Sequence, residues 1–197
     1  MLTPTRILVV SGAALLGLLL LALWAIGVEG EPTSDAVSQA EVHALTGGVS
    51  TAGLLIWGAT AGAAAMAGVA LRGFDQVEAS RFLLISAAGI GYLGLDDALL
   101  LHEDILPNQA GISEPVVMAL LVVGAIVWAV VFRALILTTD VALLAVAAIA
   151  FATSILIDLL GIWSIAGEDW VGYVGLAALC GWTVDTCLRQ LGASRSS

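Results

Sequence analysis

The sequence predicts an all-α membrane protein, and two observations support that fold class. Of the 197 residues, 60% are hydrophobic and only 11% are charged, whereas soluble domains average about 25% charged residues. The apolar residues also form long continuous runs rich in Ala, Leu and Gly, without the alternation of a transmembrane β-barrel. Only helices and closed barrels pair all their backbone polar groups inside a bilayer. We therefore expect a polytopic helical bundle that forms one integral membrane domain over residues 1–197.

Six apolar runs are long enough to cross the bilayer. A hydrocarbon core about 30 Å thick needs about 20 apolar residues, because a helix rises about 1.5 Å per residue. The runs cover residues 7–28, 42–71, 82–101, 115–137, 141–163 and 170–191. The first run exceeds the apolar region of about 7–15 residues in a secretory signal. A retained span is therefore preferred there to a cleaved signal peptide.

The arginines predict the orientation of these spans. Six crossings place every arginine of the chain on one side of the membrane: Arg6, Arg72, Arg81, Arg133, Arg189 and Arg195. The positive-inside rule makes that side cytoplasmic, so both termini are predicted to lie in the cytoplasm. The protein itself is predicted to lie in the cell (cytoplasmic) membrane, with the lipid bilayer as its partner. The formal charge of −10 excludes nucleic acid as a partner, because the two would repel each other.

Small residues predict that the second and third spans pack closely. Helices in lipid associate where small side chains let their backbones approach. The second span contains Gly58-x-x-x-Gly62 and an Ala/Gly run to Gly68, and the third span contains Ala87, Gly89, Gly91 and Gly94. These two spans are also the predicted surface for a homo- or hetero-oligomer.

Ionisable residues at the outer end of the third span form the candidate site. A charged group at the centre of a span costs about 2.5–3.5 kcal/mol on insertion scales, so each one is a functional hypothesis. Counted from Arg81, Asp96 lies about 22 Å and His102 about 31 Å along a helix. Asp96 and Asp97 are therefore predicted within the outer leaflet, with His102 at its rim. The alternative is a span that ends at Gly94 and leaves these acids in water.

Other spans bring polar residues to the same depth. His43, beside Glu41, opens the second span, Asp158 lies among Ile and Leu in the fifth, and Glu168, before Asp169, opens the sixth. Carboxylates with imidazoles suit Zn, Mn or Fe, and the spacing does not distinguish these metals. The candidate ligands of a divalent metal ion are His43, Asp96, Asp97, His102, Glu103, Asp158 and Glu168.

The geometry of a straight helix limits this metal site. Asp96 and Glu103 share a face but stand two turns apart, about 10 Å, which is too far to hold one ion. Asp97 and His102 meet only if the helix loosens near Leu101. Asp185 is assigned instead to a local ion pair with Arg189 four residues later.

The polar string carries a family resemblance. Leu95-Asp96-Asp97 followed by Leu101-His102-Glu103, with the later acidic pair before Trp170-Val171-Gly172, resembles uncharacterised prokaryotic multi-pass membrane proteins that carry LDD or LDE followed by LHE. The resemblance implies that these polar positions belong together. It implies no activity.

Three functions fit these observations. The leading one is an outward-facing metal site in the outer leaflet that activates water and acts on a lipid-like or small apolar substrate, with Asp96 or Asp97 as catalytic base. The second is a proton-coupled or cation transporter that uses the same acids. The third is a non-catalytic membrane assembly subunit that docks through the second and third spans. The sequence does not decide whether the protein is an enzyme.

Overall fold

The structure is a computed structural model that describes residues 48–160 and 165–194, with side chains for 51–102, 104–157, 160 and 171–194. Residues 53–197 form one compact unit, and of the other unit, 1–52, only the beginning of a helix is described. The first predicted span, 7–28, lies outside the described residues. The assignment of the whole chain to one domain stays a prediction.

The described residues are all-helical, with no strand among them. The α-helices in these ranges are α1 (Gly48–Arg72), α2 (Val77–Leu99), α3 (Leu106–Ala110), α4 (Glu114–Val131), α5 (Arg133–Ile136), α6 (Val141–Leu160) and α7 (Ile165–Ser194). One π-helical turn, Leu101–Ile105, joins α2 to α3. The predicted all-α fold class is confirmed for this part of the chain.

Local sequence explains where several helices begin. Asp140 caps α6, because its Oδ1 accepts the backbone N–H groups of Ala142 at 3.1 Å and Leu143 at 3.2 Å. Pro115 lies in the first turn of α4, where its missing N–H has no helical partner to lose. Asp75 has φ 58° in the turn between α1 and α2, a left-handed conformation that Asp tolerates better than most residues.

Four described helices are long and apolar enough to cross a membrane. They are Thr51–Arg72, Val77–Leu99, Glu114–Val131 and Val171–Ser194, and α6 contributes the shorter apolar stretch Val141–Ile157. The four helices correspond to the second, third, fourth and sixth predicted spans. On α4 the large apolar side chains of Leu120, Val123, Ile126 and Val130 are all exposed. Apolar patches of this extent mark a surface covered by lipid or by protein, and with the helix lengths they indicate a membrane protein.

The bounds of two helices differ from those of the predicted spans. The third span was placed at 82–101, but α2 runs from Val77 to Leu99, with Glu78 and Arg81 exposed in its first turns. The fourth span was placed at 115–137, but α4 ends at Val131 and Phe132 separates it from α5 with φ −101° and ψ 16°. The exposed charges of α2 do not end that helix. The interruption between α4 and α5 lies at the buried Phe132, where no Gly or Pro marks it in the sequence.

Within the described residues, close glycine packing is confirmed at some of the predicted glycines. A Cβ added at Gly58 or Gly62 would meet no heavy atom within 4 Å, so this GxxxG pair makes no close contact within the described residues. A Cβ at Gly68 would lie 2.9 Å from Leu84 Cγ. One at Gly94 would lie 2.7 Å from Trp57 Cβ. The close approach of α1 to α2 therefore depends on Gly68 and Gly94.

A similar arrangement joins α6 and α7, which pack mainly against each other. A Cβ at Gly175 of α7 would lie 3.1 Å from the ring of Phe151, and one at Gly172 would lie 3.6 Å from Ser154 Oγ. These glycines let α7 approach the larger side chains of α6, as expected for helix packing in membranes.

An aromatic cluster holds the end of the bundle at which α2 begins. Its rings have centroids 5.3–6.0 Å apart and belong to Phe82, Trp128, Phe132 and Trp182. The indole Nε1 of Trp128 donates to Ser86 Oγ at 3.1 Å, and that of Trp182 donates to Thr139 Oγ1 at 2.9 Å. Both indole N–H groups thus have an acceptor. The candidate site lies at the opposite end of α2.

Candidate functional site

The candidate site begins at a break in the helix. α2 ends at Leu99, and Leu100 adopts a left-handed conformation with φ 50° and ψ 44°. For a residue with a Cβ this conformation costs about 1–2 kcal/mol. The π-helical turn follows at once, with the Ile105 N–H donating to Leu100 O at 3.2 Å. The helix thus loosens beside Leu101, which is the condition that the sequence analysis gave for Asp97 and His102 to meet.

The acid that meets His102 is Asp96. Asp96 is only 6% exposed. Its Oδ1 accepts the backbone N–H of His102 at 3.0 Å, and its Oδ2 lies 2.7 Å from His102 Nδ1. An ionised carboxylate at Asp96 could only accept this hydrogen bond, and Nδ1 would then be its donor. This hydrogen bond fixes both the orientation of the imidazole ring and its tautomer, and it makes Nε2 the nitrogen that would bind a metal.

The Asp96–His102 pair also explains how the break is stabilised. A break in a helix leaves backbone N–H groups without carbonyl partners, and Asp96 accepts one of them, that of His102. An unpaired buried carboxylate would be costly, but Asp96 has two hydrogen bonds, one with the backbone N–H and one with the imidazole of His102. The strained conformation of Leu100 and the burial of Asp96 therefore depend on each other.

The two adjacent aspartates have different surroundings. Asp97 is exposed, whereas Asp96 is buried in its pair with His102. Asp104 is also exposed and accepts a hydrogen bond from Asn108 Nδ2 at 2.6 Å. The left-handed conformation of Leu100 turns His102 back over Asp96.

The remaining candidate ligands lie outside the side chains described: His43, Glu103, Asp158 and Glu168. Within the described residues, no group of three or more His, Cys, Asp or Glu side chains is arranged to hold a metal ion. The structure therefore brings together two of the seven predicted ligands, Asp96 and His102, and shows Asp97 exposed beside them.

The predicted local ion pair on α7 is confirmed. Arg189 Nε donates to Asp185 Oδ2 at 2.6 Å, and the side chains are 54% and 34% exposed. Such an exposed pair contributes little to stability, because solvent and salt screen it. Asp185 thus has a local partner and is not part of the candidate site.

Comparison with known families gives one match. Residues 8–186 match the family model described as Domain of unknown function (DUF8692). The chain belongs to this family. The matched residues of this DUF8692 protein include every candidate ligand from His43 to Glu168. No curated protein and no solved structure matches the chain, so its function must be argued from the Asp96–His102 pair.

Proposed function

We propose that this DUF8692 protein binds a divalent cation at the outward-facing end of α2, with His102 as a ligand through Nε2. The observation that supports the proposal is the 2.7 Å contact between Asp96 Oδ2 and His102 Nδ1. Metal-binding histidines almost always donate their other ring N–H to a carboxylate, a carbonyl or water, which fixes the tautomer and raises the basicity of the ligand. In this proposal Asp96 positions the ligand and does not itself touch the metal.

The other ligands come from residues that the sequence places at the same depth. The proposed set is His102 with two or three of His43, Glu103, Asp158 and Glu168. Imidazole and carboxylate together suit Zn, Mn or Fe. Such an ion lowers the pKa of a bound water and makes it a nucleophile. Asp97, exposed beside the pair, is the proposed base, and the substrate is lipid-like or small and apolar.

We also propose that the chain crosses the cell membrane six times with both termini in the cytoplasm. The one-sided distribution of the six arginines supports this topology. The test uses Ser34→Cys and Ser197→Cys in separate chains in which Cys180 and Cys187 are replaced by Ala. A membrane-impermeant maleimide added to intact cells should label the first variant and not the second. Labelling of Ser197→Cys with Ser34→Cys silent would reverse the orientation.

The decisive variant for the metal proposal is Asp96→Asn. The amide oxygen still accepts the backbone N–H of His102, so the helix break should persist. The amide NH₂ facing Nδ1 makes that nitrogen the acceptor and moves the ring proton to Nε2, where it blocks metal binding. Loss of such a supporting group typically costs 10–100-fold in metal affinity. Elemental analysis and competition with a chromophoric chelator should show this loss.

The matched control is Asp104→Asn, which removes the same charge from an exposed position two residues beyond His102. It should bind metal as the unsubstituted protein does, whereas His102→Ala should not bind it. Protein purified without chelators that holds no metal, and whose melting temperature does not change on adding Zn, Mn or Fe, would contradict the proposal. The transporter function would instead be seen as a proton or cation flux with metal-free protein in liposomes. A flux that Asp96→Asn abolishes would replace the metal proposal with the transporter function.

A further inference from the structure

Two buried hydroxyls have no hydrogen-bond partner among the described residues. They are Ser80 Oγ, in the first turn of α2, and Thr186 Oγ1, in α7. Both residues are 0% exposed, so bulk water does not reach either hydroxyl. Native proteins rarely leave a buried polar group unpaired, and each such group calls for a partner.

The other buried hydroxyls of the described residues all have an acceptor within their own helix or turn. Each donates, at 2.7–2.9 Å, to the carbonyl three or four residues earlier: Thr60, Ser86, Thr139, Thr183 and Ser194. This bond is common for Ser and Thr in helices. Ser80 and Thr186 do not make it, so their side chains direct the hydroxyls away from their own backbone and into the bundle.

α7 runs antiparallel to α2. A Cβ at Gly53 would lie 3.0 Å from Tyr173 Cε1, and Cys187 Sγ lies 3.8 Å from Ala63 O. These two contacts make α7 parallel to α1. A short turn joins α1 to α2, and the two helices pack antiparallel. The end of the bundle at which α2 begins is therefore also the end at which α7 finishes.

The two hydroxyls lie at nearly the same level of the bundle. The rings of Phe82 and Trp182 connect α2 to α7, edge to face, with centroids 6.0 Å apart. Ser80 precedes Phe82 by two residues and Thr186 follows Trp182 by four, which displaces them along the bundle in the same direction by about 3 Å and 6 Å. Their levels thus differ by about 3 Å.

The chemistry of this level indicates a neutral ligand. Both hydroxyls are uncharged, and the one buried charged side chain among those described, Asp96, lies at the other end of α2. An ion enclosed here without a counter-charge would be very costly. A water molecule both donates and accepts, and a buried water typically makes about three hydrogen bonds to groups that would otherwise have no partner.

We propose that an internal water molecule lies between α2 and α7 and hydrogen-bonds to both Ser80 Oγ and Thr186 Oγ1. The water joins the two helices through hydroxyls that do not bond to each other. The site is separate from the Asp96–His102 pair, and it does not depend on the proposed metal.

The test is X-ray radiolytic footprinting of the full-length protein in lipid nanodiscs, with oxidised residues located by mass spectrometry. A bound water forms hydroxyl radicals in place, so it oxidises side chains that bulk water does not reach. Trp182 is 1% exposed and lies one turn before Thr186, whereas Trp57 is 8% exposed and serves as the internal reference. Bulk water would oxidise Trp57 faster, but we expect Trp182 to be oxidised several-fold faster than Trp57.

Thr186→Val replaces the hydroxyl by a methyl group of similar shape, and Ser80→Ala removes the other hydroxyl. Each should reduce the oxidation of Trp182 to the level of Trp57. Thr183→Val is the matched control, because Thr183 is equally buried on the same helix but already donates to Leu179 O at 2.8 Å. It should leave the oxidation of Trp182 unchanged. Thr186→Ser keeps the hydroxyl and should keep the oxidation, even if Thr186→Val lowers the yield of folded protein.

The sign of the change in stability provides a second readout. With the water bound, Thr186→Val should lower the midpoint of SDS unfolding, because the water and Ser80 lose a partner. Without it, the same variant should raise the midpoint, because the burial cost of an unpaired hydroxyl disappears. A shared water also predicts that the shifts of Thr186→Val and Ser80→Ala are not additive in the double variant.

Oxidation of Trp182 no faster than that of Trp57 would overturn the proposal. Oxidation that persists in both Thr186→Val and Ser80→Ala would do the same, since the radicals would then arise elsewhere. A raised midpoint for Thr186→Val, or additive shifts in the double variant, would show that no water connects the two hydroxyls.

Discussion

Gly94→Ala tests the packing of α1 against α2. The new Cβ would lie 2.7 Å from Trp57 Cβ and 3.2 Å from Trp57 Cγ, closer than non-bonded carbons at their optimal separation of about 3.5–4.0 Å. Trp57 is buried and stacked on Phe151, so it has little space to move away. Overpacking of this kind typically costs about 1–3 kcal/mol.

Gly89→Ala is the matched variant, because Gly89 lies on the same helix and a Cβ there would meet no heavy atom within 4 Å. Ala is favoured over Gly in a helix interior by about 1 kcal/mol, so Gly89→Ala should raise the free energy of unfolding by up to that amount. Gly94→Ala gains the same helix preference, but overpacking against Trp57 destabilises it. The intrinsic preference cancels between the two variants, which leaves an expected difference of about 1–3 kcal/mol.

The measurement is unfolding by titration with SDS in mixed micelles, followed by circular dichroism. The two variants should share a transition slope and differ in midpoint, with Gly94→Ala the less stable. A free energy of unfolding for Gly94→Ala equal to or above that of Gly89→Ala would refute the close approach of α1 to α2 at this point.

Two further predictions concern the ends of the bundle. Leu100→Gly should relieve a left-handed conformation that costs about 1–2 kcal/mol. Because glycine also gives the unfolded chain more freedom, the net stabilisation should be about 0.5–1 kcal/mol. Leu99→Gly should instead destabilise the protein by about 1 kcal/mol, and the same SDS titration measures both variants. Trp182→Phe keeps a ring in the aromatic cluster but loses the hydrogen bond to Thr139, and should lower the free energy of unfolding by about 0.6–1.7 kcal/mol. No change in Trp182→Phe, or the same sign in both glycine variants, would contradict these assignments.

The helices that are long and apolar enough to cross a membrane could be predicted because their signal is local. An apolar run about 20 residues long gives a helix of bilayer thickness whatever its neighbours are, and the four helices described with that length match predicted spans. Helix ends are harder to predict than the helices themselves, because a charged residue does not by itself end a helix. Glu78 and Arg81 lie exposed within the first turns of α2, since a helix can continue past the hydrocarbon into water.

The packing surfaces required information that a sequence pattern does not contain. The GxxxG spacing of Gly58 and Gly62 indicates a surface that permits close approach, but which glycine is used depends on the opposing side chain. Leu84 and Trp57 oppose Gly68 and Gly94, so those positions are the close contacts. No side chain among the described residues opposes Gly58.

The pairing of Asp96 with His102 could not be predicted from the sequence either. The residue in the left-handed conformation is Leu100, where Gly or Asn is the usual choice, so no residue type marks the break. Sequence reasoning found that His102 needed a loosened helix to reach an acid. It did not identify Asp96 as that acid, because the contact spans six residues and depends on the conformation of the chain between them.

The energetics of the break favour a functional origin for it. A chain with an apolar residue in place of Asp96 would avoid placing a carboxylate in a span, which costs up to about 2.5–3.5 kcal/mol at the centre of a helix. A regular helix through Leu100 would also avoid about 1–2 kcal/mol of backbone strain. The Asp96–His102 hydrogen bonds recover part of these costs, but an uninterrupted apolar helix would incur neither. Backbone outliers of this kind cluster at sites where the strain serves a mechanism, and holding Nε2 of His102 in one orientation is what this arrangement achieves.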